Sequence, residues 1–144
     1  MAVSLFALIA ATLFAGAALY ITLVEHPARL RLTDAAMLAH WQPSYKAALP
    51  IQSGLAVAGG VLGLIAWYQL QNWQWIVGSV VLLANWPFTL LGIMPTNKRL
   101  MAMSPADASG ESTNLLRQWG NLHAVRSALG SLSAALFAWG HLIS

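Results

Sequence analysis

Residues 47–97, AALPIQSGLAVAGGVLGLIAWYQLQNWQWIVGSVVLLANWPFTLLGIMPTN, contain no Asp, Glu, Lys or Arg. A helix needs about 20 apolar residues to cross a hydrocarbon core of about 30 Å. This stretch therefore holds two crossings and a tight turn between them. The turn is Gln69 to Asn72, set among Trp67, Tyr68, Trp73 and Trp75, and clustered aromatics of this kind mark a membrane interface. Pro87 falls inside the second crossing and should kink it, freeing a backbone carbonyl for which Asn85 and Thr89 are nearby partners.

Working outward, residues 1–24 and everything after Arg126 are equally free of Asp, Glu, Lys and Arg. Only 8% of the 144 residues are charged and 58% are hydrophobic. Soluble domains carry about a quarter charged residues, so this chain reads as an integral membrane protein with one domain. The fold class expected is all-α, a four-span transmembrane bundle with spans at about 3–24, 46–68, 73–94 and 119–143. Residues 1–24 lack the basic start of a cleaved signal peptide and are read as a retained span. Gly16, Ala17 and Ala18 are small enough to allow close helix contact. Pro27 should end the first helix near His26, and the stretch from Pro95 to Arg99 should end the third span. Thr33-Asp34 looks like the cap of a short interfacial helix.

Two longer polar connections, 27–45 and 98–118, fall on one side of such a bundle. Nearly all the basic residues lie there, and the opposite side has none. The positive-inside rule then places this end in the cytoplasm and both termini outside, in a cell (inner) membrane. The sparse positive charge beside apolar runs does not suit nucleic acid. The absence of cysteine excludes disulfides and thiolate chemistry.

The same topology gathers polar side chains from four distant segments: Glu25 and His26, Tyr45 and Gln52, Thr96 and Asn97, and Trp119, His123 and Arg126. On a helix the last three share one face. Ionisable groups at such depth usually face the interior and serve a function. Blander readings stand beside this one. Lys98 and Arg99 suit headgroup anchoring, Trp41 suits an interface belt, His40 suits solvent, and Glu25, His26, His123 and Arg126 could form a buried ion-pair network. Glu25, His26 and His123 would also offer a metal site for Zn, Fe or Cu. Arg126, one turn from His123, would repel that cation and fits an anion or oxyanion better.

Gly16 to Tyr20 with Glu25-His26-Pro27, Trp41-Gln42-Pro43-Ser44-Tyr45, Met94-Pro95-Thr96-Asn97-Lys98-Arg99-Leu100, and Trp119 to Arg126 together resemble the anthrone oxygenase-like family of small membrane proteins, in its bacterial branch. The resemblance implies four spans and, as in fungal members, O₂-dependent oxidation of an anthrone methylene to a carbonyl without an organic cofactor. Such chemistry needs a base, a cation for the anion formed, and a dry pocket. His26 or His123 would be the base and Arg126 the anion partner. Trp119 and Tyr45 would form aromatic walls, and Thr96 and Asn97 would bond a carbonyl or phenol. The expected function is thus a membrane-embedded oxygenase-like enzyme acting on an apolar aromatic of anthrone or quinol type, reached through membrane lipid. The alternative is a non-catalytic module that binds a quinone, a lipid or a partner protein. Either form is compatible with a homo-oligomer.

Overall fold

A computed structural model describes residues 2–144 and is helical almost throughout, with no strand among the described residues. Four long helices carry the fold: α1 (Ala2–Arg29), α2 (Asp34–Leu70), α3 (Trp73–Ala102) and α4 (Gly110–Leu142). The first three are long and apolar enough to cross a membrane. The fourth has 33 residues and also carries Arg117, Arg126 and a run of serines. Neighbouring helices are antiparallel. Phe14 of α1 meets Gly130 of α4, Thr22 meets His123, and Ser4 meets His141.

The connections are shorter than expected because helix reaches further into them. Thr33 caps α2, its hydroxyl accepting from the Ala36 N–H at 3.4 Å. The helix then runs unbroken to Leu70, so the expected interfacial helix is its first part. Gln71 reverses the chain in the left-handed region at φ 56°, and Asn72 caps α3. Ser109 forms a capping box with Ser112 at the start of α4.

Pro27 and Pro95 do not end their helices, contrary to expectation. Each is preceded by a π-turn, Ile21–Glu25 in α1 and Thr89–Ile93 in α3. In each, the residue just before the proline is helical and donates its N–H five residues back, His26 to the Ile21 carbonyl and Met94 to the Thr89 carbonyl. A proline ring normally collides with the carbonyl four residues earlier. The wider turn makes room for it, and the helix continues. Near Pro87 α3 is interrupted as expected, by a turn at Ala84, but the Asn85 amide donates to the Leu82 carbonyl at 3.0 Å rather than to the Leu83 carbonyl four residues before the proline.

The end of the bundle holding the termini is packed through small residues. A Cβ on Gly78 would sit 2.6 Å from Phe137, and one on Gly130 2.6 Å from Phe14. Close backbone approach of this kind drives helix association where hydrophobic burial cannot. Gly16 plays no part in it, since nothing lies within 4 Å of its missing Cβ, whereas Ala18 is fully buried. At the other end a second core forms from Met37, Leu38, Ile93, Leu100, Leu115 and Leu116 around Trp41 and Trp119. Gln42 ties it to the connection after α3, donating to the Leu100 and Met103 carbonyls at 2.9 and 2.8 Å.

Candidate functional site

Between these two cores lies a cavity of about 340 Å³ to which all four helices contribute. Its aromatic wall is a continuous run. Tyr45 stacks on Trp41 (4.8 Å, 6°), Trp41 meets Trp119 edge-on (5.7 Å, 81°), and Trp119 stacks on His123 (4.9 Å, 28°). The spacing explains the stacks. Trp41 and Tyr45, like Trp119 and His123, stand four residues apart on one helix and share a face. Trp41 is almost fully buried, so the interface-belt reading is replaced by a wall of the cavity.

Arg126 lines this cavity at 7% exposure, with its guanidinium carbon 5.6 Å from the Phe14 ring. Its Nε is sealed without a hydrogen-bond partner. Among the described residues the ion pairs are Glu25 with Arg29 and Arg99 with Glu111, so no carboxylate serves Arg126. Glu25, Gln52 and Asn97 line the same space, and Asn97 donates to the Tyr45 hydroxyl at 3.2 Å.

The hydrogen bonds around His123 engage one of its ring nitrogens. The Ser127 hydroxyl donates to the His123 carbonyl (3.4 Å) and lies 2.7 Å from Thr22 Oγ1, which is 3.1 Å from His123 Nδ1. A hydroxyl has one proton to give. With Ser127 donating to the carbonyl, Thr22 donates to Ser127 and Nδ1–H to Thr22; the reverse order, Ser127 to Thr22 to Nδ1, fits the same distances. The first order leaves a lone pair on Nε2, which has no hydrogen-bond partner among the described residues, on a ring that lines the cavity.

His26, Arg29 and Glu25 form a second cluster, of which Glu25 and Arg29 also line the cavity. Arg29 is 3% exposed, and its Nε donates to His40 Nδ1 at 3.0 Å. One Nη donates to His26 Nδ1 at 3.2 Å and the other pairs with Glu25. Its guanidinium also covers Trp119, 5.8 Å from the ring centroid. The His26 ring packs on the other indole contact, 5.2 Å from Trp119, with Nε2 sealed at Gly120. His26 therefore stands behind Trp119 and does not line the cavity. Thr96 is buried but also lies outside it.

The proposed metal set does not converge. Glu25 and His26 Nδ1 are both engaged by one guanidinium, and among the described residues no group of three His, Asp or Glu is placed to share an ion. Arg29 is the site residue that sequence reading missed. Its signal was there, three and four residues after His26 and Glu25, but only if the helix is carried past Pro27. Ile93, also in the lining, carries no local mark of its own, whereas Gln52 is one of the polar residues the topology gathers.

The family model described as Anthrone oxygenase matches residues 41–136, a stretch that contains Trp41, Tyr45, Gln52, Asn97, Trp119, His123 and Arg126. Anthrone oxygenase tpcL of Aspergillus fumigatus is 41% identical over 64 residues, which is 42% of this chain and 40% of that protein. The aligned region thus spans less than half of that relative. No solved structure matches the chain. Since the family match extends from the second helix deep into the fourth, this chain belongs to the anthrone oxygenase family.

Proposed function

We propose that the chain is an oxygenase that converts the methylene of an apolar anthrone- or quinol-type aromatic to a carbonyl, using O₂ and no bound metal. The observation that carries this reading is one cavity holding a buried, carboxylate-free guanidinium and a histidine with a free Nε2 between aromatic walls. A volume of about 340 Å³ lies within the range of roughly 300–1,000 Å³ for small-molecule sites. Trp41, Tyr45 and Trp119 would hold flat rings by stacking.

The chemistry uses the chain's own groups. His123 Nε2 removes a methylene proton, and Arg126 holds the oxygen on which the resulting charge rests. The electron-rich anion reduces O₂ and forms a C–O bond, and the peroxide takes the proton back from the imidazolium. His123 then removes the second C–H proton as the O–O bond breaks. The departing hydroxide takes that proton, so R₂CH₂ and O₂ become R₂C=O and H₂O. His26 and Arg29 act through Trp119 as positioning residues. The distribution of basic residues supports a site at the cytoplasmic end, with substrate arriving from membrane lipid.

The test is O₂ uptake and carbonyl formation with an anthrone, using purified protein in nanodiscs. His123→Ala should lower turnover at least 100-fold while the protein stays monodisperse and keeps its anaerobic affinity for the anthrone. A wild-type protein that binds the anthrone and never oxidises it would favour the non-catalytic binding reading. A His123→Ala protein that only loses thermal stability would make the histidine structural.

A further inference from the structure

A second cavity, of about 130 Å³, lies on the other side of Arg126, between α2 and α3. Leu49, Ser53 and Ala56 form its α2 wall, and Thr89, Leu90 and Met94 face them from α3. It meets the large cavity at Arg126 and Leu49, the two residues that line both. Trp86 and Leu90 form its outer edge and are 42% and 53% exposed, on a helix apolar enough to cross a membrane. Its place follows from the chain: Pro87 supplies no N–H, α3 is interrupted at Ala84, and small side chains on α2 leave the gap unfilled.

We infer that this cavity is the dioxygen site, fed sideways from the hydrocarbon and opening onto the aromatic pocket at Arg126. The inference rests on the oxygenase reading above. Three observations select this occupant. The space lies well below the roughly 300 Å³ at which small-molecule sites begin, too small for three fused rings. Its lining is mostly apolar, which suits a diatomic that dissolves better in hydrocarbon than in water. Its inner end is the cation that would meet negative charge developing on reduced oxygen.

Ser53→Leu fills the cavity from α2 without touching the large one. In nanodiscs, it should raise the KM for O₂ at least fivefold at saturating anthrone, with anaerobic anthrone affinity changed less than twofold. Thr89→Leu closes the same space from α3 and takes over the test if Ser53→Leu does not fold. An unchanged KM for O₂ in a folded variant overturns the assignment. So does a parallel loss of anthrone affinity, which would make the space part of the aromatic site. Xenon, which enters dry apolar cavities, gives a readout without turnover. Wild-type protein should show a saturable ¹²⁹Xe shift that either plug removes, and no such shift overturns the proposal. Xenon binding in a protein that never oxidises an anthrone places the failure in the oxygenase reading instead.

Discussion

Arg29 and Arg126 lie buried at the same end of the bundle, 3% and 7% exposed, and are held in opposite ways. Arg29 spends its guanidinium on His40, His26 and Glu25 and lies over Trp119. Among the described residues Arg126 has no hydrogen-bond acceptor; it lies over the face of Phe14 and borders the two cavities. A buried charge without a partner costs several kcal/mol, so a fold keeps one where something other than the fold uses it. The difference separates a group that holds the site together from one held ready for a ligand.

Three substitutions would break or sharpen that contrast. The largest effect is expected from Arg126→Met. Loss of the oxyanion partner should lower kcat/KM about 100- to 1,000-fold, roughly 3–4 kcal/mol, while the thermal midpoint stays level or rises as an uncompensated buried charge disappears. Arg29→Met should do the reverse. Removing one partner of a buried network costs about 3 kcal/mol, so the thermal midpoint should fall, while the protein that remains folded loses less than tenfold in turnover. If Arg29→Met abolishes turnover in a stable protein, the contrast fails. The smallest effect is expected from Trp41→Leu, which removes one stacking face worth about 1 kcal/mol and should weaken anaerobic anthrone binding about fivefold with kcat little changed.

Much of this was legible in the chain. The uncharged gaps define the helices, and their parity puts His26 and His123 at one end, where Trp119 lies between the two rings. The gathering of Tyr45, Asn97, Trp119, His123 and Arg126 follows from the same parity. What remained hidden depends on helix phase. Pro27 and Pro95 read as stops because proline usually disrupts a helix, and nothing local announces a π-turn that accommodates it. With α1 ended early, Arg29 belongs to a loop and reads as one more surface cation. Trp41 was ambiguous for a different reason. A tryptophan near a span's polar end can face lipid or the interior, and its burial in the folded chain decides. His26 and His123 are equally good bases on paper, and the choice between them comes from which ring nitrogen is left free.

The π-turns before Pro27 and Pro95 have a consequence for how such a site can change. Each wide turn accommodates one extra residue within a helix, and one residue corresponds to about 100° of rotation. By absorbing that residue, the turn keeps everything beyond it in phase with the small-residue seam at the opposite end. Deleting one residue from Ile21–Glu25 would let the turn close to an ordinary α-turn with His26 and Arg29 kept on their face, whereas a deletion elsewhere in α1 between Phe14 and Ile21 would swing them to another azimuth. The fold thus has two places that can shed a residue and keep the pocket, while a one-residue change elsewhere in the same helices would retune what it accepts.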